Sequence, residues 1–260
     1  MTDSTTNPET VRLTLPGGEH LTGDYLPTSG ANPDFVVLWV HGFGSRRGGE
    51  KALALREECG RRGWAFAAFD FRGHGESGGT MHQLRASGLL DDLDAIRQFL
   101  AGRGHARLGL VGSSMGGFAV AWFTRQNPAA ALGCVFLAPA FHFLFRRHES
   151  LTPEQLAEWQ RTDRLRVKND WVDTEIGYGL IEERERFRPD ELMADWATPT
   201  LIFHGLADDV IPADESLFFL RGVGYPRVEL RLFKDGDHRL TAHKDQIAAG
   251  VGQFFAKLIG

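Results

Sequence analysis

A serine hydroxyl is too weakly acidic to attack a carbonyl at neutral pH, so a chain that uses one as a nucleophile must also supply a base. Two stretches place a serine in the pattern Gly-x-Ser-x-Gly: Gly112-Ser113-Ser114-Met115-Gly116 and Gly75-Glu76-Ser77-Gly78-Gly79. As a string this pattern selects weakly, and the surroundings must decide. A strained turn that exposes a serine needs a strand running into it and a helix starting at once, so that the helix N-terminus faces the developing negative charge. Ser114 has that setting. RLGLV (107–111) reads as a buried strand and MGGFAVAWFTRQ (115–126) as a helix. Ser77 also follows a strand, but Gly78, Gly79 and Thr80 lead into a loop, and its expected role is loop structure.

The base should be a histidine, and the histidine needs a carboxylate to fix its tautomer and stabilise its cation. Of the ten histidines, His238 lies in the Gly/Asp-rich stretch FKDGDHRL (233–240), just past a strand-like run that ends at Phe233. LIFHGLADDVIP (201–212) offers Asp208 and Asp209 beyond a strand ending at His204. Neighbouring side chains in a turn diverge, so only one of these two reaches the histidine. His20, His82, His105 and His148 read as surface or loop residues, His204 as a hydrogen-bonding residue at a strand end, and His243 as an alternative base at the start of the last helix. A tetrahedral intermediate also needs backbone N–H donors. The residue after the nucleophile, Met115, and Phe43 in the loop His41-Gly42-Phe43-Gly44 are the candidates. DFRGHGES (70–77) reads as a scaffold loop beside them. No HExxH, CxxC pair or EF-hand loop occurs, so neither a metal nor a cofactor is expected.

The elements that must hold these residues are apolar runs alternating with amphipathic segments. Strands are expected at 35–40 (FVVLWV), 64–71, 107–112, 132–138, 200–204 and 228–233, and helices near 50–62, 88–100, 115–126 and 213–221. In a final helix Ile247, Val251, Phe254, Phe255 and Leu258 fall on one stripe. Val11, Leu13 and Leu15 alternate with polar residues before the turn Pro16-Gly17-Gly18, which predicts an N-terminal hairpin. Residues 1 to 10 are polar and read as a frayed end. Such alternation implies an α/β fold with a doubly wound, mostly parallel sheet. Residues 139–198 break the rhythm. They are rich in charge and aromatics, show no strand-like run, and contain the capping box Thr152-Pro153-Glu154-Gln155, so they predict a helical cap inserted into a core formed by 1–138 and 199–260.

Composition narrows the function classes. The chain has 260 residues and a formal charge of −5, which argues against a protein that tracks nucleic-acid phosphates. The first ten residues lack the basic and apolar regions of a signal peptide, and no apolar run is long enough to span a bilayer. With only Cys59 and Cys134, a disulfide framework is excluded and a reducing, cytoplasmic setting is expected. No feature of the sequence sets an oligomeric state.

HGFGS (41–45), DFRGHGES, GSSMGG (112–117), HGLADDVIP (204–212) and GDHRL (236–240) stand in the order and spacing of the α/β-hydrolase superfamily, which the chain resembles from about residue 35 to its C-terminus. With KALALREECGRRGW (51–64) and FDFRG (69–73), it is similar within that superfamily to the mitochondrial α/β-hydrolase-domain proteins that act as acyl-protein thioesterases and acyl-glucuronide esterases, and to bacterial esterases related to them. The resemblance implies a Ser114–Asp208–His238 triad, favouring the aspartate three residues after Gly205, and a small-molecule acyl ester or thioester as substrate. The cap departs from that pattern, with Phe141, Phe143, Phe145, Trp159, Trp171 and Tyr178 only loosely matched. Those phenylalanines are expected either to face the pocket or to anchor the cap. A perhydrolase or haloperoxidase, a serine aminopeptidase, a carbon–carbon hydrolase and a hydrolase-fold binding protein are the alternatives.

Overall fold

A computed structural model of the protein describes residues 7–169 and 171–260. An antiparallel pair, β1 (Glu9–Thr14) and β2 (His20–Leu26), precedes β3 (Phe35–Val40), α1 (Glu50–Arg62), β4 (Ala65–Phe69), α2 (Ala86–Gly102), β5 (Arg107–Ser113), α3 (Met115–Gln126) and β6 (Ala131–Leu137). Residues 139–198 then carry α4 (Phe143–Glu149), α5 (Pro153–Thr162), β7 (Leu165–Lys168), β8 (Asp173–Ile176), α6 (Gly179–Glu182) and α7 (Pro189–Met193). The chain closes with β9 (Thr200–Gly205), α8 (Asp214–Gly222), β10 (Val228–Phe233) and α9 (Lys244–Ile259).

Eight strands form one sheet in the order β1-β2-β4-β3-β5-β6-β9-β10. Strands β3 to β6, β9 and β10 run parallel, while β2 pairs antiparallel with both β1 and β4. This is the α/β-hydrolase arrangement. The unbroken apolar run of β3 has a simple cause: Val36, Leu38 and Val40 enter one core, with α2 and α3, and Phe35, Val37 and Trp39 enter the other, with α1 and α9. The register sets Val40 opposite Gly112, Ser113 opposite Leu137 and Gly205 opposite Phe233, so these strand ends all reach one edge of the sheet. Ligands bind at that edge in open α/β sheets. Cys59, on α1, and Cys134, on β6, lie buried in the cores on opposite faces of the sheet.

Three expectations need correction. Segment 139–198 contains an antiparallel two-stranded ribbon, β7–β8, besides its helices. Its strands are only four residues long and laced by ion pairs such as Arg166–Asp173 (2.7 Å) and Arg164–Glu175, so the alternation of Leu165 and Val167 with Arg166 and Lys168 is too short to stand out in a charged stretch. His105 is buried, not a surface residue, because its Nε2 meets the Tyr25 hydroxyl at 2.8 Å. Glu9 and Thr10 belong to β1, whereas the expectation for residues 1–6 lies outside the described residues. The capping box at Thr152 forms, with Pro153 in the first turn of α5.

Candidate active site

Ser114 sits at the junction of β5 and α3 with φ 54° and ψ −118°, a conformation that a side-chain-bearing residue adopts only under strain. Its surroundings enforce the turn. The Ser114 N–H donates to the Leu137 carbonyl, and the Ser114 carbonyl accepts from the N–H groups of Gly117, Phe118 and Ala140. Strand and helix cross so closely that a Cβ at Gly112 would press on the Gly116 carbonyl, and one at Gly116 on the carbonyls of Val40 and His41. Both flanking glycines of the motif are therefore steric requirements.

The loops after β9 and β10 are tied together by backbone bonds, Leu206 N–H to Phe233 O (2.8 Å) and Ala207 N–H to Gly236 O (3.0 Å). That pairing sets Asp208 beside His238. The His238 Nδ1–H donates to Asp208 Oδ2 at 2.8 Å, and the Ser114 hydroxyl lies 3.1 Å from His238 Nε2. Asp208 Oδ1 accepts the N–H groups of Val210 and Ile211 at 2.9 and 2.8 Å. His204, wholly buried, donates from Nε2 to the Ile211 carbonyl (2.9 Å), lies 3.2 Å from Asp208 Oδ2, and accepts the Ser216 hydroxyl at Nδ1 (2.6 Å). Burial alone would raise the Asp208 pKa. The hydrogen bonds from His204 and His238 outweigh it and hold the carboxyl well below the usual range, so Asp208 stays ionised. Asp209 points into the open cavity, and His243 stacks on Phe233 at 4.1 Å, away from Ser114.

The loop after β3 lies against the serine: a Cβ on Gly42 would come 3.2 Å from Ser114 Cβ and 3.8 Å from Oγ. Among the described residues no group accepts the backbone N–H of Phe43 or Met115. His41 braces this loop, donating from Nδ1 to the Gly42 carbonyl (2.8 Å) and accepting the Phe71 N–H at Nε2 (3.0 Å). Burial lowers its pKa and keeps it neutral. The buried Asp70 carboxylate adds a second brace, accepting from the backbone N–H and guanidinium of Arg47 and from the Glu76 N–H. Ser77 is spent on structure, donating to the Asp70 carbonyl (2.6 Å) and accepting the Thr22 N–H (2.9 Å).

Sequence reasoning missed Lys51. It reaches from α1 to the Arg239 carbonyl (2.5 Å) and Ser113 Oγ (3.4 Å), linking the His238 loop to the strand that carries the serine. Burial, helped by the Arg239 charge, lowers its pKa to about 8. Only the Gly/Asp loop and Ser113 mark its destination, and neither signals it in sequence.

A cavity of about 810 Å³ opens over Ser114 and His238. Phe43, Phe143, Val167, Trp171, Val172 and Ile211 supply apolar lining, so residues 139–198 contribute much of its wall. Both alternatives for the phenylalanines are realised. Phe143 lines the cavity and packs between Phe43 and Phe118, whereas Phe141 is buried and stacked on Phe219 at 4.6 Å. Trp159 is a core residue whose indole N–H donates to the Ile176 carbonyl, with Tyr178 edge-on to it.

Residues 31–156 match the family described as serine aminopeptidase, S33. Over 218 residues the chain is 26% identical to the mitochondrial palmitoyl-protein thioesterase ABHD10 of Mus musculus, covering 80% of this chain and 70% of that protein. The solved structure of alpha/beta hydrolase domain-containing protein 10 from mouse superposes with a TM-score of 0.84 at 23% identity, covering 96% of this chain and 99% of that one. Est1E from Butyrivibrio proteoclasticus, solved with ferulic acid bound, gives 0.83 at 19% identity, covering 96% and 99%. Among the described residues no helix is long and apolar enough to cross a membrane. With this sheet order, this strand–serine–helix turn and these likenesses, the chain has the α/β-hydrolase fold and is similar to the ABHD10 thioesterases and to bacterial esterases.

Proposed function

We propose that the protein is a serine hydrolase of carboxylic esters or thioesters with small to medium acyl groups. The observation that carries this reading is the unbroken hydrogen-bonded chain Ser114 Oγ–His238–Asp208 at the floor of the cavity. Ser114 Oγ attacks the carbonyl carbon while its proton passes to His238 Nε2, and ionised Asp208 stabilises the imidazolium. The carbonyl oxygen, now negative, takes the two N–H groups of Phe43 and Met115. As the intermediate collapses, the C–O or C–S bond breaks and His238 protonates the departing alcohol or thiol. Water then attacks the acyl-Ser114 carbonyl while its proton passes to His238, and His238 returns that proton to Ser114 Oγ as the carboxylic acid departs. Besides the substrate and this water, each step uses only side chains and backbone of this chain, so the proposal includes no metal or cofactor. Residues 139–198 act as the cap, and 1–138 with 199–260 as the catalytic core. A cytoplasmic location remains part of the proposal; the mouse relative is named as mitochondrial.

The test is a panel of acyl esters and thioesters together with fluorophosphonate labelling. Ser114→Ala is expected to lose label and at least about 10³-fold in kcat while keeping its fold. Ser77→Ala is expected to keep both label and turnover while losing about 1 kcal/mol of stability with its two hydrogen bonds. Label that persists in Ser114→Ala and disappears in Ser77→Ala sinks the assignment. A second reading, an aminopeptidase, is favoured by the matched family's description. Faster release from an aminoacyl anilide with a free amino group than from any ester would select it.

A further inference from the structure

Arginine side chains near a cavity are ordinarily matched by carboxylates. Arg146, on α4, follows that rule: its Nε lies 3.3 Å from Glu215 and its guanidinium donates to the Val210 carbonyl at 3.0 Å. Arg147, the next residue, does not. It lines the cavity that holds Ser114 and His238, is only partly open to water, and has no carboxylate or carbonyl partner for its guanidinium among the described residues. Burial is the one influence on its acidity, and it acts to lower the pKa. A second guanidinium that lines the cavity, Arg239, is held over the Trp171 ring at 4.3 Å and also lacks an ion pair among the described residues. The carboxylates that share the lining, Glu149, Asp209 and Asp237, are exposed at its rim. None lies within ion-pair distance of Arg147.

A guanidinium withdrawn from water without an anion is costly to keep charged, and its five N–H groups in a fixed fork donate in the geometry a planar carboxylate accepts. Among the described residues nothing neutralises Arg147, and an anionic oxygen pair brought in by a ligand would do so. We infer that Arg147 forms a carboxylate-binding subsite in the cavity, and that the substrate is an ester or thioester carrying a second, ionised carboxylate. This inference rests on the hydrolase reading above and deepens it. It also departs from purely apolar recognition, because the ionised group, not chain length alone, positions the reacting carbonyl over Ser114.

The two sides of the scissile bond are separated by two substrate pairs. On the acyl side, the p-nitrophenyl half-ester of adipic acid is compared with p-nitrophenyl hexanoate. On the leaving-group side, 4-carboxyphenyl butanoate is compared with 4-carbamoylphenyl butanoate. One pair is expected to favour its carboxylate member by about tenfold in kcat/KM, the range of a charge-assisted hydrogen bond, and the favoured pair identifies the side. Arg147→Gln is expected to bring that ratio to about one, and Arg147→Lys to retain part of it. A ratio at or below one for both pairs in the native protein, or one that Arg147→Gln leaves unchanged, overturns the subsite. Binding provides the arm that does not need turnover. In Ser114→Ala, adipate and 4-hydroxybenzoate are titrated calorimetrically, and saturable binding of the matching acid, lost in Arg147→Gln, is expected. If native protein hydrolyses none of the four esters yet Ser114→Ala binds an acid through Arg147, the hydrolase reading fails and the subsite stands. Hydrolysis without that binding or that preference removes the subsite and leaves the hydrolase reading in place.

Discussion

Asp208 is the most heavily engaged side chain of the site. One oxygen takes two backbone N–H groups, and the other faces His238 and His204. Asparagine at this position would present an amide N–H to at least one of those donors and would hold His238 in the wrong tautomer. Asp208→Asn is therefore expected to lower kcat by about 10⁴-fold, the scale found when a triad carboxylate is neutralised. Asp209 touches neither histidine, and Asp209→Asn is expected to stay within about threefold of the native rate, which a surface-charge effect allows. Comparable losses in the two variants, measured by steady-state kinetics on one ester, would reverse the choice. Without the family resemblance, which favours Asp208, the residues of the sequence leave this pair open. Two identical residues side by side differ only in what the loop does next, and the backbone bonds from Val210 and Ile211 that aim Asp208 inward have no residue-type signature.

At the level of elements, what could be read was whatever the hydrophobic pattern had to express. Strands covered on both faces are apolar throughout, as in FVVLWV, and the strand–Ser114–helix turn requires glycines where backbones touch. The ribbon β7–β8 escaped because each strand is only four residues long, so the apolar face made by Leu165, Val167 and Ile176 is too brief to show among the charged residues around it. Lys51 escaped for a related reason, since a lysine on an amphipathic helix ordinarily faces water. Its burial has a measurable sign. The folded-state pKa of about 8 lies below the ordinary lysine value of 10.5, so between these pH values the unfolded chain binds more protons and stability rises with pH. Below pH 8 the penalty is present in full. In urea titrations the stability of the native protein relative to Lys51→Met is expected to improve by about 2 kcal/mol from pH 7 to pH 10. A difference that stays constant, or shrinks, would show that the ammonium is not desolvated by folding.

For the molecule as a whole, the sheet edge that holds Ser114 and His238 is roofed by residues from a separate segment. Phe143, Val167 and Val172 can bury acyl carbons at about 0.8 kcal/mol per methylene, which is threefold to fourfold in rate. With neutral p-nitrophenyl esters, kcat/KM is expected to climb by that factor over a few carbons and then fall once the cavity is full. A flat profile would assign these residues to packing alone. The two cores on either side of the sheet have a different consequence, through the thiol each one conceals. Burial pushes the Cys134 thiol up to about 12 and raises Cys59 as well, so neither supplies thiolate while the chain is folded. To a maleimide the native molecule is blank, and both thiols react only in molecules that have opened. Alkylation then works as a clock for opening, with Cys59 and Cys134 timing opposite sides of the sheet. Equal rates at the two positions mean that the sheet and both helical layers come apart as one unit. Unequal rates name the layer that leaves first.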